Sequence, residues 1–94
     1  MNVRWTAPAA QDLKDIAHYI RKDNPSAARS IAKAIFEAAN GLESFPLRGR
    51  TGRIAGTREL VIAGSPYIVV YQVAATAIHI LHINHGARNW PTGC

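Results

Sequence analysis

The chain has 94 residues, one cysteine, 48% hydrophobic residues and a formal net charge of +5. That length suffices for one domain, taken as residues 1–94, and is too short for two. Ordinary globular composition excludes a disordered chain. The longest apolar run, Tyr67 to Tyr71, excludes a helical membrane span, and a lone thiol at Cys94 excludes an internal disulfide, so a reducing cytoplasm is the expected setting.

The elements follow in chain order. Val3-Arg4-Trp5 reads as a short strand, with Trp5 facing the core or anchoring an edge. Thr6 offers a helix N-cap and Pro8 is tolerated in the first turn. Ala9, Leu13, Ile16, Ala17 and Ile20 then recur at helical spacing through Arg21. Asp23-Asn24-Pro25 breaks this helix and caps the next, whose apolar stripe is Ala28, Ile31, Ala32, Ile35, Ala39 and Leu42. The short connection predicts a back-to-back helical hairpin.

Ser44 to Gly56 reads as a loop in which Arg48, Arg50 and Arg53 alternate with Gly49 and Gly52. The period then changes to that of strands. Thr57–Ala63 and Tyr67–Val73 flank Gly64-Ser65, which suits a type II′ hairpin turn. That register puts Ile62 opposite Tyr67, Leu60 opposite Val69 and Arg58 opposite Tyr71, the last pair close enough to touch. A third strand, Ala77–Ile83, leads into an irregular tail. The order β-α-α-β-β-β predicts an α+β fold, a two-helix hairpin packed on an antiparallel sheet.

Charge is unevenly spread along this plan. Up to Glu43 six Lys/Arg face five Asp/Glu, whereas from Ser44 onward five arginines face Glu59 alone. Arginine suits bidentate contact with phosphate or carboxylate, so the expected partner is a nucleic acid, a nucleic-acid enzyme or an acidic protein. Gly49, Gly52 and Gly56 lack the Gly-Lys-Ser/Thr ending of a phosphate loop and the spacing of a dinucleotide fingerprint, so no nucleotide cofactor is expected. His79, His82 and His85 are three apart on a strand, where such positions point to opposite faces. No metal site is expected from them; one should pack in the sheet and the others face solvent. His85, at the strand's end, is the candidate acid or base. Ser65 in a turn and Cys94 at the terminus are poor nucleophiles, and paired carboxylates are lacking. A small-molecule substrate is therefore not expected.

The chain resembles the RelE/ParE superfamily of toxins from type II toxin–antitoxin pairs. The resemblance rests on Ala10-Gln11-Asp12-Leu13, Ile16-Ala17-His18-Tyr19-Ile20, Asp23-Asn24-Pro25, Leu42 through Arg50, Gly56-Thr57-Arg58-Glu59-Leu60, Pro66 through Tyr71 and Ile80 through Pro91, in that order. It implies a β-α-α-β-β-β toxin held by a cognate antitoxin, ParD-like or RelB-like, in a hetero-oligomeric complex. The antitoxin's C-terminal segment would use an apolar groove on the helical hairpin, at Leu13, Ile16, Ile20 and Ile35.

The superfamily divides in activity, and so does the implication. The RelE-like branch cuts messenger RNA on the ribosome, without metal, using basic and acid–base groups; here those would be Arg58, His85 and Arg88. The ParE-like branch poisons DNA gyrase. RelE-like nucleases carry an arginine where this chain has Ile68, another near Ala63, and a C-terminal tyrosine for which Trp90 is the nearest aromatic. The His85 to Arg88 ending matches the ParE-like pattern. The resemblance thus implies a gyrase-directed toxin whose target contacts are Arg48, Arg50, Arg53, Arg58, Tyr71, His85, Arg88 and Trp90.

Overall fold

A computed structural model describes residues 2–86. Two helices lie on one face of a five-stranded sheet. The elements are β1 (Asn2–Trp5), α1 (Ala7–Arg21), α2 (Pro25–Gly41), β2 (Arg50–Thr51), β3 (Arg58–Val61), β4 (Tyr67–Val73) and β5 (Ala77–His85). Both helices start where their caps predict. The Thr6 hydroxyl accepts the Ala9 N–H at 3.3 Å and the Asn24 side chain accepts the Ala27 N–H at 3.0 Å, satisfying donors that the first turn would leave orphaned. No helix among the described residues is long and apolar enough to cross a membrane.

The core joins one stripe of each helix to alternate strand positions. Ala9, Ile35, Ala39 and Leu42 meet Leu60, Ile62, Tyr67, Val69, Tyr71, Ile78, Ile80 and Ile83. Small residues on α2 let it approach closely, and the period of two along β4 selects Tyr67, Val69 and Tyr71 for the helical side. Trp5 is half-buried, stacks on Phe36 at 5.9 Å and donates its indole N–H to Asn40, fastening β1 to α2 as an edge anchor.

The sheet departs from the expected antiparallel arrangement in two ways. Its order is β1-β5-β4-β3-β2, and β1 runs parallel to β5, with Trp5 opposite Ile80. No hairpin sets the direction of β1, because the helical pair separates it from every other strand. The second departure is β2, which lies inside the expected loop: Arg50 pairs with Glu59 and Thr51 with Arg58. The Arg58–Tyr71, Leu60–Val69 register is as expected.

The hairpin turn is not type II′. Pro66 has no N–H to close it, so the Ser65 N–H bonds to the Ile62 carbonyl at 3.2 Å. Gly64 then occupies the second central position with φ +76°, as in a type II turn. In β5 the partners skip Leu81, since Tyr71 faces Ile80 and Val70 faces His82. Where β1 ends, Asp12 of α1 takes over the edge of β5, accepting the Ile83 N–H at 3.0 Å and meeting the His82 ring at 3.0 Å.

Candidate binding site

The arginine-rich segment is a strapped loop. Tyr71, in the centre of β4 and 0% exposed, reaches the loop with its hydroxyl, which donates to the Pro46 carbonyl at 2.8 Å and accepts the Gly49 N–H at 2.8 Å. Beside it across the β3–β4 ladder, Arg58 donates from Nε to the Gly49 carbonyl at 3.1 Å and from Nη2 to the Leu47 carbonyl at 3.3 Å. Gly49 is required by closeness: a Cβ there would lie 2.8 Å from the Glu59 carbonyl and from the Tyr71 ring and hydroxyl.

Two residues named from sequence as partner contacts are buried in this chain. Tyr71 is 0% exposed, and its hydroxyl holds the loop. Ile35 is likewise 0% exposed, in the core between helix and sheet, and lines no external groove. Its stripe faces the sheet because α2 packs that way, whereas Leu13, Ile16 and Ile20 are only partly buried at the margin of the same core.

Glu59, which sequence reasoning set aside, organises the other side of the loop. It is 3% exposed. Its carboxylate accepts from Arg50 Nη2 at 3.2 Å and from the Arg53 N–H at 3.0 Å. A buried carboxylate needs such compensation, because desolvation disfavours its charge. The signal was present in the strand period: Arg58 and Leu60 share one face, so Glu59 must take the other.

The face without helices carries Arg50, Glu59, Val70 and His82 in one row and Val61, Ile68 and Asn84 in the next. A shallow cleft there, about 220 Å³ including open solvent at its mouth, is lined by Arg53, Glu59, Ile68, Val70, Asn84, His85 and Gly86. The Asn84 Nδ2 is buried and has no hydrogen-bond acceptor among the described residues.

The histidines do not converge. His79 faces Gln72, His82 bonds to Asp12, and the His85 ring meets Tyr67 edge-on at 5.5 Å. All three are half-buried, which replaces the expected division between one packed and two exposed rings. Among the described residues no three His, Cys, Asp or Glu side chains gather as a metal site. Arg48 and Arg50 are exposed, Arg53 and His85 line the cleft, and Arg58 lies between loop and sheet. Arg88 and Trp90 lie outside the described residues.

Comparison with known proteins agrees with this architecture. Residues 3–90 match the family described as ParE toxin of type II toxin-antitoxin system, parDE. The chain is 42% identical over 89 residues to the protein Y4kP of Sinorhizobium fredii, covering 95% of this chain and 92% of that one. It is also 42% identical over 86 residues to Toxin RelE2 of Caulobacter vibrioides, covering 92% and 96% of the two chains. Among solved structures, a chain of the chromosomal ParDE toxin–antitoxin system from P. aeruginosa superposes with a TM-score of 0.82 at 30% identity, covering 90% of this chain and 95% of that one. A chain of the RelBE2 toxin–antitoxin complex from Mycobacterium tuberculosis gives 0.62 at 28% identity, covering 89% and 95%. With a matching family over nearly its whole length and the same helical pair on a mixed sheet, this chain belongs to the ParE toxin family, within the RelE/ParE superfamily of type II toxin–antitoxin toxins.

Proposed function

We propose that the chain is a ParE-like inhibitor of DNA gyrase that acts in the cytoplasm, blocks replication and is neutralised by a cognate antitoxin. One observation carries the choice of branch. Arg58, at the start of β3, and Tyr71, opposite it on β4, bond to the loop backbone and so are engaged in holding it. Ile68 and Ala63 stand where the nuclease branch carries arginines. The remaining cationic groups suit recognition more than bond breaking. Arg48, Arg50 and Arg53 on the strapped loop, with His85, Arg88 and Trp90, are the proposed target contacts; Arg58 supports them from below. The similarity to a ParDE system supports an antitoxin partner, which would lie over Leu13, Ile16 and Ile20.

A second reading has its own observation. Glu59, Asn84 and His85 line one cleft, so a carboxylate and an imidazole border the same space, the kinds of group a ribonuclease uses. On that reading His85 is the acid or base, and Arg58 and Arg88 stabilise phosphate charge during ribosome-dependent cleavage. Induction of the chain without antitoxin separates the two. Gyrase trapped on cleaved DNA, with transcripts intact, supports the first. Transcripts cut soon after induction, with DNA intact, overturn it in favour of the second.

A further inference from the structure

β2 and β3 are folded over one carboxylate. Glu59 faces Arg50 across their ladder, and its side chain is 2% exposed against 57% for Arg50. Its two oxygens are divided between two partners: Oε1 accepts from Arg50 Nη2 at 3.2 Å, and Oε2 accepts the Arg53 backbone N–H at 3.0 Å. The connection between the strands is closed on itself beside that N–H. The Gly52 N–H bonds to the Thr57 carbonyl at 2.8 Å, and buried Thr57 donates to the Ile54 carbonyl from both its N–H, at 3.1 Å, and its hydroxyl, at 2.7 Å. A Cβ at Gly52 would strike the Thr57 hydroxyl, so the turn closes this tightly only around glycine.

The Arg50–Glu59 pair differs from an ordinary surface ion pair because one member is buried. Salt screens such a pair less, and a charge-assisted bond is stronger than a neutral one. The burial also makes the pair hard to give up, since a lone buried carboxylate is costly. A guanidinium is flat and carries its N–H donors in one plane, so tying Nη2 to Glu59 restricts the whole group and leaves its other donors for a partner. A long side chain restricted in advance loses less freedom when it binds.

We propose that Glu59 is a positioning residue of the toxin: its buried charge presets the Arg50 guanidinium and the Arg53 backbone for contact with the target. This rests on the reading of Arg50 and Arg53 as target contacts, but not on which macromolecule the toxin inhibits. With both oxygens already accepting and almost none of its side chain exposed, Glu59 acts through its two partners and does not touch the target itself. Its role is distinct from that of Tyr71 and Arg58, which hold the loop at Pro46, Leu47 and Gly49 and leave Arg50 and Arg53 to be set by another group.

The test reads side-chain order and toxicity in the same variants. Nuclear relaxation of the arginine Nε–Hε groups in the parent chain should show Arg50 more rigid than Arg48, which is exposed on the same loop, and Glu59→Gln should bring the two close together. Glutamine keeps the size of the side chain but has an acceptor for only one of the two donors. Toxicity is read as growth arrest on induction without antitoxin, at matched protein levels, a readout common to every target. Arg50→Ala should weaken it about tenfold in the parent and less than about threefold beside Glu59→Gln, where Arg50 has already been released. Equal losses in both backgrounds would overturn the proposal and leave Arg50 standing as a contact. No loss in the parent would instead overturn the contact reading, and the proposal with it. An Arg50 as mobile as Arg48 in the parent chain would overturn the proposal without any variant, which keeps the test decisive if Glu59→Gln fails to fold.

Discussion

The phenolic oxygen of Tyr71 lies 2.8 Å from the amide nitrogen of Gly49, across a sequence separation of 22 residues, inside a fully buried contact. This bond, with its companion to Pro46, fixes the arginine-bearing loop to the middle of the sheet. Tyr71→Phe keeps the ring and removes only the hydroxyl. A buried N–H and a carbonyl then lose their partner, at about 1–3 kcal/mol. Chemical denaturation should show that loss, and amide exchange at Gly49 should accelerate far more than exchange at Val69. Unchanged exchange at Gly49 would show that the loop is held by something else.

Gly49 and Gly41 should respond oppositely to alanine. A Cβ at Gly49 meets the Glu59 carbonyl oxygen at 2.8 Å, whereas one at Gly41 meets nothing within 4 Å. Gly49→Ala should therefore cost about 1–3 kcal/mol through overpacking. Gly41→Ala, at the last position of α2, should raise stability by about 0.5–1 kcal/mol. Thermal melts of the two variants give the comparison directly.

Ile35 tests the division between core and groove. It is 0% exposed within the hydrophobic cluster. Ile35→Ala should cost about 2–5 kcal/mol by leaving a cavity. Its affinity for an antitoxin, measured below the unfolding transition, should stay within about twofold of the parent, whereas Ile16→Glu at the half-buried margin should lower that affinity more than tenfold.

Asp12 stands in for a strand. Its carboxylate accepts the Ile83 N–H and meets His82 where β1 no longer covers β5. Asp12→Ala should cost about 1–2 kcal/mol, and Asp12→Asn, whose side-chain oxygen still accepts the Ile83 N–H, less than half of that. Denaturation midpoints of both variants, with exchange at Ile83, check the ordering.

Much of this architecture is legible in the residues. The caps at Thr6 and Asn24 locate both helices because local chemistry decides them. The Arg58–Tyr71 register follows from alternation on both strands, and so survives even though Pro66 changes the turn that joins them. β2 is not legible, because Arg50 and Thr51 carry no apolar pattern and become a strand only by pairing with β3. The parallel seating of β1 is hidden for a related reason: its partner, β5, is nearly the whole chain away. At the site, the run of arginines is visible in sequence, but their support is not. Tyr71 could have been assigned inward, since it shares its face with Tyr67 and Val69. The buried role of Glu59 depends on where Arg50 and Arg53 fall after the loop has closed.

The pairing of Trp5 with Ile80 bears on how a cell makes such a protein. β1 waits, unseated, until both helices and the strands through β5 have followed it out of the ribosome. A nascent chain stopped short of β5 lacks both the strand that receives β1 and the backbone that Thr6 and Asp12 grip. Seating of β1 is thus gated on synthesis through β5, and products terminated before that strand would be fodder for proteases, not fragments that retain the finished shape.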